Sequence, residues 1–201
     1  MVSEQMKRLL WQTLEHERGS VDIYQTALKC AQRDDLKDEW TRCLAHIRHH
    51  ELILTEACRK LSIHPELMTA GREATKYLGE SLISAMEMVH ESGEPHEAEL
   101  MACECVALSE TTSHSNWQLI EKCAHTSTGE QKQVLLAAVG EVKDEVDEHY
   151  YHARGWEREL WLHSLGIEAV LPPPEEREHV ISPIRAGQVE HGRESLDNRP
   201  S

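Results

Sequence analysis

The sequence predicts an all-α protein, and three observations carry that expectation. Proline and glycine are scarce over the first 165 residues, while Leu, Ala, Glu and Met are common and Phe is absent. Apolar residues recur at three- and four-residue spacing through segments of about thirty residues. Turn-forming punctuation falls between those segments rather than inside them.

The elements follow in order. A first helix is expected over 3–33, ended by Asp34-Asp35, and a second over 35–62. The stretch SIHPELMTAGRE, with Pro65 and Gly71, reads as a loop. A shorter third helix covers 73–91 and stops at SGEP; a long one spans 95–126. The turn HTSTGEQ restarts the chain, with Ser127 or Thr128 as N-cap, and the last long helix runs over 130–165 to Gly166. The remainder, including LPPPEEREHVISPIRAGQVEHGRESLDNRPS, is proline-broken, polar and aperiodic. It is expected to be disordered or strapped over the surface. The division is therefore a helical unit over 1–166 and a tail over 167–201. Four helices of this length, each about 45 Å at 1.5 Å per residue, make a four-helix bundle.

Net charge is −15 with histidine neutral. So acidic a surface repels phosphate backbones, which argues against nucleic acid and in favour of cations. No apolar run is long enough for a membrane span, and the start, MVSEQMKRLLWQTLEHE, is charged at once and lacks a signal-peptide core. A cytoplasmic protein is expected. The six cysteines, Cys30, Cys43, Cys58, Cys103, Cys105 and Cys123, form no C-x-x-C pair and read as reduced, mostly buried fillers.

Helical wheels place ionisable groups on the apolar stripes. In the first helix Leu10, Leu14, Tyr24 and Leu28 form the stripe and Glu17 sits at its centre. The second contains LAHIRHHEL, with His46, His49 and His50; His50 falls within the stripe of Trp40, Cys43, Ile47 and Leu54, His46 on its flank, and His49 toward the rim. Glu110 and His114 lie on the stripe of the 95–126 helix, and Glu145, His149 and His152 on that of the last; Glu148 is expected to face solvent. Glu17, His50, Glu110 and His149 are each near mid-helix, so an up-and-down bundle brings them to one level. No Lys or Arg lies on these stripes there. Buried carboxylates without compensating charge are costly, so one or two metal ions are expected. The order echoes itself: Glu17 and Tyr24 are seven apart, as are Glu110 and Trp117; His46 and His50 are four apart, as are Glu145 and His149. Tyr24 and Trp117 are read as core packing.

This pattern resembles the ferritin-like superfamily of carboxylate-bridged di-iron and di-manganese proteins. The segment ERGSVDIY resembles the E-L-x-A-I-N-Q-Y segment of bacterioferritin-type first helices, where the Glu is a ligand. The extra helix before MACECVALSETTSHSNWQLIEKCA looks more like the YciF-type branch. The resemblance covers about residues 5–160. It implies iron, as one or two ions, with manganese or zinc as alternatives, dioxygen or peroxide as a co-reactant, oxidase or peroxidase capacity or a stress-protective role, and a homodimer. The chain departs from the superfamily's E-x-x-H pairs: H-I-R-H (46–49) stands on the second helix, and Glu145 to His149 is a four-residue step. The site is thus rich in nitrogen, which also admits copper or a single ion. Two other readings stay open. One is a DinB-type bundle with a single metal on His46 or His50, His149 and His152, acting as hydrolase or transferase. The other is a helical stress or interaction module with structural histidines.

Overall fold

The structure, a computed structural model, describes residues 2–197, and every regular element among them is helical. The elements are α1 (Glu4–Cys30), α2 (Asp34–Lys60), α3 (Ala70–Glu91), α4 (Pro95–Thr126), α5 (Gly129–Ser164), α6 (Pro174–Arg177) and α7 (Pro183–Asp197). The five main helices lie where periodicity puts them, with ends shifted by up to three residues. The shifts come from the caps. Ser3 accepts from the Met6 amide and opens α1, and Thr69 does the same for Arg72 at α3. Thr128 takes the N-cap position of α5, whereas Ser127 closes α4 by donating its hydroxyl to the Cys123 carbonyl at 2.8 Å. Gly129, at φ 57°, makes the two-residue turn between them, in a conformation that disfavours side chains.

α1 packs against α2 and α4, and α5 packs against α4 and α2, so the four long helices form a ring with α1 and α5 on one diagonal. The short links 31–33 and 127–128 make α1–α2 and α4–α5 antiparallel hairpins. α3 lies along α1 and α4 and carries the chain from the end of α2 back to the start of α4. That return is pinned at both ends. Near the α2 terminus the Trp11 indole donates to the His64 carbonyl at 2.9 Å; at the other end Glu99 of α4 accepts from the amides of Gln32 and Arg33.

The apolar core divides in two. One cluster joins Ile23, Tyr24, Trp40, Ile47, Met86, Val106 and Trp156. The other joins Leu10, Leu14, Leu54, Trp117, Leu135 and Val142. On every long helix the gap between them falls in the middle of the chain: after Leu14 on α1, after Ile47 on α2, after Ala107 on α4 and after Val146 on α5. No helix among the described residues is long and apolar enough to cross a membrane. The described cysteines are free, five of them buried.

Residues 198–201 of the expected tail lie outside the described residues; over 167–197 the chain contains short helices. α6 and α7 form there, and Val180 and Val189 are buried. The anchor is Glu159 of α5, fully buried, which accepts from Arg158 Nε, Arg193 Nε and the Val170 amide at 2.8–2.9 Å. Arg158 also forks onto Glu175 at 2.7 and 3.0 Å. Two buried valines and these polar anchors, rather than a continuous apolar stripe, hold the segment, so periodicity does not reveal its helices.

A buried ion pair fixes the loop before α3. Arg72 donates to Glu15 Oε2 through Nε and Nη2 at 3.0 and 2.6 Å and to the carbonyls of Pro65 and Leu67 through Nη1. Removing one partner strands the other's charge, so Arg72→Ala is expected to lower the free energy of unfolding by about 3–5 kcal/mol. The Glu15→Met, Arg72→Met double variant should recover most of that loss. Urea denaturation of the three proteins checks both statements, and a loss under about 1 kcal/mol for Arg72→Ala contradicts them.

Candidate functional site

The gap between the two apolar clusters is filled by ionisable side chains from all four long helices. Glu17 (α1), His50 (α2), Glu110 (α4) and His149 (α5) are buried there, with His46 and Glu145 beside them. The side chains of His46 and Glu145 retain 26% and 32% of their exposure, which makes the α2–α5 seam the open side of the layer. Helical spacing places them: four-residue steps put His46 with His50 and Glu145 with His149 on one face of their helices.

The contacts repeat across the layer. The Trp117 indole donates to Glu17 Oε1 at 2.8 Å, and Tyr24 Oη donates to Glu110 Oε1 at 2.8 Å. Each aromatic therefore serves the carboxylate of the opposite hairpin. Ser113 adds a donor to Glu17 at 2.9 Å. The second oxygen of each carboxylate faces an imidazole: Glu17 Oε2 lies 3.8 Å from His50 Nδ1, and Glu110 Oε2 lies 3.9 Å from His149 Nδ1. Glu17 Oε2 is buried and has no hydrogen-bond partner among the described residues. On the far sides of the same rings, His50 Nε2 bonds Glu145 Oε2 at 2.8 Å, and His149 Nε2 shares a hydrogen bond of 3.0 Å with His46 Nδ1. The His46 and His149 rings are nearly parallel, with centroids 5.3 Å apart.

The two halves share a carboxylate–imidazole geometry, and their pKa values move in opposite directions. Burial drives the Glu17 carboxyl up, but the His50 and His16 imidazoles and the Trp117 N–H outweigh it, leaving the pKa below its ordinary value. Burial pulls His50 down, and Glu17 and Glu145 more than reverse this, so its pKa is raised. In the other half burial dominates. It pushes Glu110 up to about 8, against the Tyr24 hydrogen bond and with help from the Glu17 charge. His149 is held well below its ordinary value by burial and then by the neighbouring His50 and His46. The shifts favour the charged forms of Glu17 and His50 and the neutral forms of Glu110 and His149.

Three residues expected at the site stand elsewhere. His49 is exposed on the outer side of α2, over a groove with Leu52 and Glu141. His114 turns toward α5, where Nε2 lies 2.9 Å from the Asp147 carboxylate and its ring stacks on Tyr150. The wheel placed it on the stripe, but Ser113 takes the inward position instead. His152 is buried, yet its Nδ1–H donates to Glu39 Oε1 at 2.8 Å. Glu148, expected in solvent, is largely covered and pairs with Arg42 at 3.0 Å. Glu39 escaped sequence reading although the signal was present: Glu39, Cys43, His46 and His50 are spaced four, three and four apart, one continuous inward stripe.

Among the described residues, no group of three or more His, Cys, Asp or Glu side chains stands as a ready metal-binding set. The donors of the layer are joined to one another in pairs. No protein-family model, curated protein or solved structure matches this chain.

The Glu110 shift has a stability consequence. With a folded-state value of about 8 against an ordinary 4.5, folding favours the protonated carboxyl. That stability is fully present below the unfolded value and is lost as pH rises through about 8, at about 1.4 kcal/mol per unit of difference. Glu110→Gln keeps an acceptor for Tyr24 and carries no proton to lose. In the presence of a chelator, the variant should match the parent at pH 4 and exceed its stability at pH 9 by about 2–4 kcal/mol. Urea denaturation across that range decides it; equal slopes for the two proteins contradict the assignment.

Proposed function

We propose that the buried layer is a cation site and that the protein is a metal-binding member of the ferritin-like type, with two divalent ions per chain. Glu17 and His50 hold one ion, and Glu110 and His149 the other. His46 and Glu145 complete the set between them at the α2–α5 seam. One observation carries this reading. Each buried carboxylate has one oxygen saturated by an aromatic donor at 2.8 Å and the other aimed at an imidazole Nδ1 at 3.8–3.9 Å. That separation is too long for a hydrogen bond and about half an ångström wider than two adjacent ligands of one ion, about 3.0–3.4 Å apart when each lies about 2.1 Å from it, so a small inward shift of each pair would seat one. The partnerless Glu17 Oε2 supports it, since a buried acceptor without a donor is costly.

Iron is the first candidate, with manganese or zinc as alternatives, because mixed carboxylate and imidazole donors suit all three. A redox-active ion supplies electron transfer toward dioxygen or peroxide. The chain's own part is to set the donors, to hold the carboxylates by Tyr24 and Trp117 so that they do not swing, and to admit small molecules at the half-open seam. With Glu145 the single carboxylate at the seam, bridging is poorer than in a site with two such groups, and the ions should be exchangeable.

A second reading is a hydrogen-bonded polar layer without an ion. It is favoured by the His50–Glu145 and His46–His149 bonds, which give Nε2 of each buried imidazole a partner within the protein.

Calorimetric titration of untagged, chelator-treated protein with Fe(II) under anaerobic conditions, and with Mn(II) and Zn(II), separates the two. Binding of two ions per chain is expected for at least one metal, with a rise in melting temperature. Glu17→Ala and Glu110→Ala should each abolish one of the two binding events, whereas His49→Ala and His114→Ala should leave both intact. Absence of binding for all three metals, with Glu110→Leu raising the melting temperature, establishes the ion-free layer instead.

A further inference from the structure

A groove of about 740 Å³ lies between α4, α5 and the tail, away from the α2–α5 seam. That size suits a small organic ligand. Its features do not depend on metal at the carboxylate layer. Three rings form one wall. His114 and Tyr150 stack at 4.3 Å with planes 6° apart, and Tyr151 meets both edge-on. Two contacts bear on the wall before any ligand arrives: His114 Nε2 lies 2.9 Å from the Asp147 carboxylate, and Arg154 donates to Tyr150 Oη at 2.8 Å. Fixed aromatic surface binds at low entropic cost. Val142 and Val146 of the core back the groove, and the tail brings Pro183, Ala186 and Gly187, which leave room beside the rings.

Charge narrows the ligand further. Glu121, Asp147 and Glu190 line the groove against Lys143 and Arg154, and both cations are engaged, Lys143 by Glu121 at 2.7 Å and Arg154 by Tyr150. The chain as a whole carries −15. Anions are repelled from such a groove, while neutral and cationic rings are accepted. We propose that this groove binds a flat aromatic molecule, neutral or cationic, against the His114–Tyr150–Tyr151 wall. Trp117 also lines the groove, and its indole N–H bonds Glu17, so a bound ring sits one side chain from the carboxylate layer.

Ligand-observed NMR on the full chain, in the presence of a chelator, tests this with benzamidinium, phenol, benzoate and cyclohexylammonium as probes. Benzamidinium and phenol should bind, with benzoate and cyclohexylammonium each weaker than benzamidinium by about ten-fold or more. Tyr150→Leu and Gly187→Trp should each weaken benzamidinium by about ten-fold or more with an unchanged thermal melt. A Cβ at Gly187 meets nothing within 4 Å, so that variant should fold. The proposal is overturned if cyclohexylammonium equals benzamidinium, if neither variant changes the affinity, or if neither benzamidinium nor phenol binds at millimolar concentration. Because metal is withheld, these results are independent of the calorimetric titrations.

Discussion

Two carboxylates are buried between two apolar cores, and the rest of the molecule is arranged around the cost of putting them there. Glu17 and Glu110 are almost without solvent contact, in a medium where an unpaired carboxylate is strongly disfavoured. Each receives an aromatic donor from the far hairpin and an imidazole from a neighbouring helix. The apolar clusters on either side end where this layer begins. Even the exposure of His46 and Glu145 follows, since the layer needs one side on which charge meets water.

Geometric symmetry without electrostatic symmetry is the layer's second property. A carboxylate, an aromatic donor and an imidazole meet in each half, yet the shifts favour the charged forms of one pair and the neutral forms of the other. Two adjacent ion pairs at this depth would place like charges close together, and the Glu17 charge itself helps to keep the proton on Glu110. The first half to ionise sets the state of the second.

Much of this was legible in the sequence, for a specific reason. Glu17, His50, Glu110, Glu145 and His149 interrupt apolar stripes of 3.6-residue period, and the wheel gives direction without knowledge of partners. What it does not give is the identity of a neighbour across the bundle. Tyr24 and Trp117 therefore read as packing, whereas they are the donors to Glu110 and Glu17. His114 failed for another reason: a stripe is wide, and Ser113 beside it filled the inward place. Glu39 and His152 find each other across 113 positions of sequence, a pairing that no local rule suggests. Arg72 is similar, a lone cation near a helix start whose burial depends on the loop folding over it. α6 and α7 were hidden because Glu159 and Arg158, not an apolar stripe, tie them down.

The crossed donors have one more effect. Neither hairpin can satisfy its own carboxylate, because Tyr24 serves Glu110 and Trp117 serves Glu17. Leucine-rich surfaces alone tolerate sliding by a turn, since one apolar contact replaces another. Here a slip of one turn, about 5.4 Å, would unmake both bonds at once and leave two buried oxygens bare. The polar layer acts as a vernier mark: it selects a single alignment of the two halves from the several that greasy packing would accept.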